Sequence, residues 1–170
     1  MKSIVLGGGC FWCIEAVFQQ VKGIERVVSG YSGGDLKNPT YENHGTHAEV
    51  VQLTYNPEIV SLEKLLEIFF SIHDPTTLDR QGNDIGQQYR SIILCDNHAD
   101  IDTARRVIDS VKELWHNPII TEVSLLDVFW PAEDYHQNYY NNNKSTGYCQ
   151  VVINPKLDKL RKHFTNLLRN

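Results

Sequence analysis

The chain carries no surplus of positive charge. Its 16 lysines and arginines are outnumbered by 21 aspartates and glutamates, for a net charge of −5. General nucleic-acid binding rests on clustered positive charge, so that class is set aside. No apolar run approaches the roughly 20 residues of a membrane span. The opening "MKSIVLGGG" holds too short an apolar stretch for a signal peptide. A cytoplasmic location, without membrane association, is therefore expected. Cysteine is scarce as well. Four thiols, Cys10, Cys13, Cys95 and Cys149, are too few for a disulfide scaffold in 170 residues. No repeat, low-complexity tract or linker divides the chain. With 41% hydrophobic and 22% charged residues it reads as one globular domain, residues 1–170.

The apolar pattern alternates between strand and helix. "SIVLG" reads as a buried strand, and "CFWCIEAVFQQV" has apolar residues at helical spacing up to a stop near Gly23. "IERVVSGYSGG" and "HAEVVQLTYNP" read as strands, the second stopped by Pro57. "SLEKLLEIFFSIH" is an amphipathic helix with Ser61 as its N-cap and Glu63 in its first turn. The stretch "HDPTTLDRQGNDIGQQYR" is a long polar loop, of a length often functional. "SIILCD" and "ITEVSLLDV" are strands flanking the helix "ADIDTARRVIDSVKELW". After an irregular, aromatic-rich segment, "QVVINP" reads as a last strand and "KLDKLRKHFTNLL" as a closing helix. The order predicts an α+β fold: two layers, a mixed or antiparallel sheet packed by helices, a roll of ferredoxin-like type.

The chemistry concentrates at "GGGCFWC". Cys10 follows three glycines where the first helix begins. A helix N-terminus presents unpaired N–H groups and the positive end of the dipole, which lower a thiol's pKa. Glycines there allow backbone to approach a ligand. The bland alternative is a small buried hydrophobe in a tight turn. Cys13 stands three residues on, a C-x-x-C spacing suited to redox exchange; helix packing is its alternative, and a zinc site lacks further ligands at matching spacing. Cys95 ends an apolar strand and reads as core. Cys149 follows "NNNKSTGY", and a thiol on such an arm can swing to a distant sulfur; its alternative is a strand residue of "CQVVI".

Acids and phenols cluster in the loops. "NPTYENHGTHAEVV" holds Tyr41, His44, His47 and Glu49. Glu49 sits in an apolar strand, where an unpaired acid has a raised pKa and can stay protonated as a proton donor. The alternative is a carboxylate on the solvent face of an edge strand. His44 and His47 make only a weak metal motif. "RQGNDIGQQYRS" offers Asp84, Tyr89 and Arg90; "DYHQNYY" offers Asp134, His136, Tyr139 and Tyr140; "GYC" offers Tyr148. Phenols on loops can donate to a developing oxyanion. Glu15, near Cys10, more simply balances the helix dipole.

Taken together, "GCFWCIE", "NPTYENHGTHAEVV", "HDPTTLDRQGNDIGQQYRSIIL" and "PAEDYHQNYY" with "GYCQVVINPKLDKLRK" resemble the A-type peptide methionine sulfoxide reductases, from about Gly8 to Phe164. The resemblance implies reduction of methionine S-sulfoxide, free or in proteins. It implies Cys10 as the nucleophile, Phe11 and Trp12 as the wall that takes the substrate methyl, and Glu49 as the acid that protonates the oxygen. Tyr41 and Tyr89 help hold that oxygen; Asp84, Tyr139 and Tyr148 complete the site. A cysteine sulfenic acid then condenses with a second thiol to a disulfide, which thioredoxin reduces by exchange. No metal or organic cofactor is implied, and a monomer is expected. Cys149 matches the family's resolving cysteine on a mobile segment around 139–149. Cys13, where many members carry glycine, has proximity instead, and a relay through both is a third order of events. The segment between Tyr41 and His47 is shorter than the common pattern.

Two other classes compete. A thioredoxin-like disulfide oxidoreductase accounts for "CFWC" but not for Tyr41, Glu49 and the "QGNDIGQQYR" loop. The other is a non-enzymatic module that binds oxidised methionine, in which Cys10→Ser would leave binding largely intact, whereas in a reductase it abolishes turnover.

Overall fold

Three apolar runs pair at the centre of one sheet. In a computed structural model that describes residues 1–169, β1 (Lys2–Gly7) lies between β3 (Ala48–Tyr55) and β6 (Ile92–Cys95), antiparallel to both. β2 (Ile24–Ser32) pairs antiparallel with β3 on its far side. β7 (Glu122–Leu125) and β8 (Trp130–Pro131) form the two edges, giving a six-stranded order β7-β6-β1-β3-β2-β8. Only β6 and β7 run parallel, because helix α3 (His98–Val111) carries the chain across between them.

The inner parts of β1 and β6 read as unbroken apolar runs because both faces of the sheet are covered. On one face Ile4, Leu6, Val51, Leu53, Ile93 and Cys95 meet the helices in the main core. That layer holds α1 (Phe11–Phe18), α2 (Leu62–Ile72) and α5 (Asn154–His163), with α3 at its margin. On the other face Val5, Val50, Ile92 and Leu94 form a smaller cluster under Leu126 and Phe129. The α+β, two-layer expectation is therefore met. Ser61 caps α2 as read, its hydroxyl accepting the Lys64 N–H at 3.2 Å. The long loop after α2 contains only a minimal hairpin, β4 (Arg80–Gln81) with β5 (Asp84–Ile85), and one turn of 3₁₀ helix at Gln87–Tyr89.

The last predicted strand is not a strand. Cys149–Ile153 forms a wide π-turn that runs into α5. The reason lies in the spacing of buried residues: Cys149, Ile153, Leu157 and Leu160 recur every three or four positions and are all buried. Val151, two residues from each of the first pair, is 74% exposed. Pro155 sits in the first turn of α5. It has no N–H for the carbonyl four residues back, and the turn before it is the wide one. The β-branched pair Val151-Val152 favours a strand on local propensity alone, and the helical spacing of the buried residues overrides it. A short helix α4 (Tyr139–Asn142) precedes this turn.

A helix and a strand place residues 151 and 153 differently, so truncating each in turn distinguishes them. Ile153→Ala is expected to destabilise the protein by about 2–5 kcal/mol. Val151→Ala should stay within about 0.5 kcal/mol. Urea titration of both variants checks this.

Candidate active site

The first helix begins where two glycines let three segments converge. Gly9 has φ +95°, a left-handed conformation that a side chain would strain. A Cβ on Gly8 would lie 2.7 Å from the buried ring of His73. The Gly9 N–H donates to the Tyr89 carbonyl at 3.2 Å, tying the long loop to the start of α1. Gln81 pins that loop from within, exchanging two hydrogen bonds with the Asp74 backbone at 2.7 and 2.9 Å. Arg90 staples it to the segment between β2 and β3 through the carbonyls of Gly33 and Thr46.

Cys10 is the N-cap of α1 and is 8% exposed. The next N–H, that of Phe11, donates to Oε1 of Glu49 at 3.1 Å. Glu49 thus occupies the anion-binding end of the helix, reaching it from β3 on the helix-covered face of the sheet. It lies buried, and burial raises its pKa to about 8 against the opposing pull of the Phe11 N–H, with Asp84 raising it further. At that value the carboxyl is mostly protonated at pH 7.

The thiol beside it does not follow expectation. A helix N-terminus was expected to lower the Cys10 pKa, and instead burial pushes it well above the ordinary thiol value. The bond to Cys13 and the nearby Glu49 charge add to the rise. The dipole of an eight-residue helix is outweighed by desolvation and by an acid competing for the same end. Cys13 is shifted the other way, lowered chiefly by its hydrogen bond with Cys10 and further by its contact with the Tyr148 hydroxyl.

On one side of Cys10 is an aromatic wall. Trp12 stacks on Tyr139 with ring centroids 3.7 Å apart and meets Tyr148 edge-on at 5.8 Å. Its indole N–H donates to Nδ1 of His136 at 3.0 Å. Phe11 and Tyr41 flank the same imidazole, at 5.0 and 4.6 Å between centroids. Tyr41 stays partly open, and burial with the Glu49 charge raises its phenol to about 12; the Tyr89 phenol is pushed up for the same reasons. Both phenols are therefore donors at neutral pH.

On the other side a cleft of about 590 Å³ opens to solvent, lined among others by Gly9, Cys10, Cys13, Asp84, Tyr148 and Lys156. Tyr148 donates to Asp84 at 2.9 Å, and its oxygen lies 3.5 Å from the Cys13 sulfur. Lys156 reaches in from α5, its ammonium donating to the Ile72 carbonyl at the end of α2. Its positive charge helps hold the Cys13 pKa down.

The structure therefore gathers Cys10, Cys13, Glu49, Phe11, Trp12, Tyr41, Tyr89, Asp84, Tyr139 and Tyr148 around the start of α1. Cys149 is the exception: it is fully buried in the main core, its neighbours Tyr148, Val151 and Val152 lining the cleft instead. Cys95 is core, as read. His47 is occupied structurally, accepting the Gly34 N–H at Nδ1 and donating from Nε2 to the Leu36 carbonyl. No cluster of three metal-ligating side chains occurs among the described residues.

Several contributors were not visible in the sequence. Glu15, read as balancing the dipole, instead accepts the N–H groups of Asn138 and Tyr139 at 2.9 and 3.1 Å. It thereby caps α4 and sets Tyr139 under Trp12. Glu133 accepts from the Tyr31 hydroxyl and the Tyr41 N–H, fixing the shortened rim. Neither Glu133 nor Lys156 carries a local motif, since their partners lie far away in sequence.

Comparison with known proteins gives a consistent picture. Residues 2–168 match the family model described as peptide methionine sulfoxide reductase. A Chromobacterium violaceum protein named peptide methionine sulfoxide reductase MsrA is 49% identical over 176 residues, covering 100% of both chains. The crystal structure of reduced Mxr1 from Saccharomyces cerevisiae superposes with a TM-score of 0.83 at 33% identity, over 87% of this chain and 88% of that one. Mxr1 in complex with Trx2 matches with a TM-score of 0.61 at 29% identity, over 81% and 84%.

The burial of Glu49 has a consequence for stability. Its pKa rises on folding from about 4.3 to about 8, so the folded state holds the proton more tightly than the unfolded one. Its contribution is complete below about pH 4 and is lost as pH climbs through 8. Glu49→Gln keeps the acceptor for Phe11 and has no proton to lose. It should melt higher than wild type at pH 8.5 and alike at pH 4, as checked by calorimetry at both pH values.

Proposed function

The chain belongs to the peptide methionine sulfoxide reductase family, and from that premise we propose how its residues reduce methionine S-sulfoxide, free or in proteins, to methionine. The substrate methyl packs against Phe11 and Trp12, where an S–CH₃ group gains from aromatic contact. The sulfoxide oxygen faces Glu49 with the Tyr41 and Tyr89 hydroxyls, while Asp84, Tyr139 and Tyr148 shape the rest of the pocket. Cys10 sulfur attacks the sulfoxide sulfur as Glu49 gives its proton to the oxygen, and the Cys10 thiol proton passes to Glu49. The attack forms a bond between the two sulfurs; the protonated oxygen then passes to the Cys10 sulfur as the substrate S–O bond and the S–S bond both break, so that methionine leaves with its sulfur reduced by two electrons and Cys10, oxidised by the same two, remains as the sulfenic acid. The observation that carries this reading is the 3.1 Å contact from the Phe11 N–H to Glu49, which brings a carboxyl with a pKa of about 8 to the base of the nucleophile.

The raised pKa of Cys10 fits this order. A neutral thiol beside a protonated acid avoids two buried negative charges, and the proton moves only once the sulfoxide oxygen is there to take one.

Cys13 is the first resolving thiol in this reading. It shares the first turn of α1 with Cys10, opens on the same cleft, and has the lowered pKa of a nucleophile. Its sulfur displaces hydroxide from the sulfenic acid, releasing water and leaving a Cys10–Cys13 disulfide. Cys149 enters later, if the segment 139–149 leaves its packing and Cys149 is brought out of the core. Thioredoxin restores the thiols by exchange; support comes from the Mxr1 neighbour, whose structure was solved with Trx2. The electrons arrive through thiols, so neither metal nor organic cofactor takes part. The protein is read as a cytoplasmic monomer; no helix among the described residues is long and apolar enough to cross a membrane.

Two experiments test these roles. In single turnover, Glu49→Gln should slow sulfide formation by roughly 10²-fold; an unchanged rate removes Glu49 as the acid. With thioredoxin as reductant, Cys13→Ser should complete one turnover and then stall, while Cys149→Ser keeps a first disulfide. Mass spectrometry of protein oxidised with stoichiometric substrate should find Cys10 linked to Cys13. A Cys10–Cys149 link as the first product would reverse the order.

A further inference from the structure

Lys156 is a half-buried cation in an unfavourable place. It stands in the first turn of α5, the end of a helix where positive charge is disfavoured. Its side chain lines the cleft together with Cys10, Cys13, Asp84 and Tyr148. Its ammonium donates to the Ile72 carbonyl, and among the described residues it forms no salt bridge. Burial lowers its pKa, as for an ammonium with too little compensating charge. A charge held this way costs stability, and it stands ready for an anion that forms in the cleft.

In the reduced protein the Cys13 pKa is lowered first by the bond with Cys10, then by Tyr148 and then by Lys156, against burial and the charge of Asp84. The first half of the reaction changes that list. As sulfenic acid, Cys10 has no S–H left to share with Cys13. The Tyr148 hydroxyl has one proton, given to Asp84 at 2.9 Å, while the Cys13 sulfur lies 3.5 Å away. The remaining titratable neighbours of the thiol are two acids, Glu49 from β3 and Asp84 from the hairpin. Lys159, further along α5, faces Lys156. Lys156 is the positive charge that oxidation of Cys10 leaves untouched.

We propose that Lys156 is a positioning residue for the resolving step: its charge holds Cys13 as the thiolate once Cys10 has become a sulfenic acid. This rests on the reading of Cys13 as the first resolving thiol. Cys13 gives up its proton, its sulfur bonds to the Cys10 sulfur, and the S–O bond of the sulfenic acid breaks. The oxygen takes up one proton and leaves as water. Cys13 is oxidised to the disulfide level as Cys10 is reduced to it, and no outside electrons are needed.

The test follows the decay of the Cys10 sulfenic acid, trapped with a 1,3-diketone after one equivalent of methionine sulfoxide and without reductant. Lys156→Met keeps the stem and removes the charge; Lys156→Arg keeps the charge. At pH 7 Lys156→Met should slow the decay about tenfold, what one neighbouring opposite charge is worth to an ionised group, and Lys156→Arg should recover most of the loss. A second readout is the pH profile of Cys13 alkylation by iodoacetamide, read by peptide mapping in a Cys10→Ala background, which removes the S–H as oxidation does. Its midpoint should rise in Lys156→Met and return with arginine, a shift that loosened packing alone does not produce. Wild-type decay in Lys156→Met, an unmoved midpoint, or equal damage from arginine and methionine overturns the proposal, while a stalled sulfenic acid in Cys13→Ser still leaves Cys13 as the resolving thiol. Wild-type decay in Cys13→Ser removes that reading and the proposal together. Should Lys156→Met fail to fold, Lys156→Gln, neutral but able to donate to the Ile72 carbonyl, carries the same expectations.

Discussion

One contact organises this molecule: the carboxyl of Glu49, buried on β3, meets the first N–H of α1 beside Cys10. Desolvation drives the carboxyl toward its neutral form and the helix N-terminus pulls it toward its charged form. Desolvation wins, and the site holds its protons at neutral pH. That balance requires a helix short and deep, begun by glycines that place it hard against the sheet, and a rim that admits substrate without flooding the acid. The sheet supplies the depth, because strands covered on both faces carry Glu49 to the helix layer without exposing it.

The remaining architecture holds aromatic surfaces around that pair. Trp12 is fixed by a stack and a hydrogen bond; its stacking partner Tyr139 is fixed by Glu15; Tyr41 is fixed by Glu133. The polar fastenings lie behind the rings of the proposed substrate wall. The cleft on the far side carries the second thiol, with Lys156 and Tyr148 at hand to ease it toward thiolate against the opposing charge of Asp84. Two sulfurs one helical turn apart thus have opposite tendencies, one protonated against an acid and one eased toward ionisation. The chain's only methionine is Met1, so no internal side chain competes as substrate.

Much of this was legible in the sequence where the physics is local. Ser61 as a cap, the apolar runs as strands and the glycine turn before Cys10 all follow from neighbours in the chain. The raised pKa of Glu49 was also legible, because an acid in an apolar strand has few ways to be solvated. The pKa of Cys10 was not, since its direction depends on depth and on an acid 39 positions away, neither of which a helix start reveals. Cys149 misled for a different reason: β-branched neighbours and the preceding asparagines suggested a strand after a loose arm. The four-residue recurrence of Cys149, Ile153 and Leu157 was the better signal, and it places this thiol in the core. The fastenings by Glu15, His136 and Glu133 join residues about 90 to 125 positions apart and leave no local trace.

The central claim is that Glu49 keeps its proton through neutral pH at the base of Cys10. Titrating the side-chain carboxyl by ¹³C NMR in protein labelled at glutamate, with Glu49→Gln to assign the signal, tests it directly. A midpoint near 8 is expected. A midpoint near 4.3, the value of a solvated glutamate, would contradict the account and leave the sulfoxide oxygen without its proton donor.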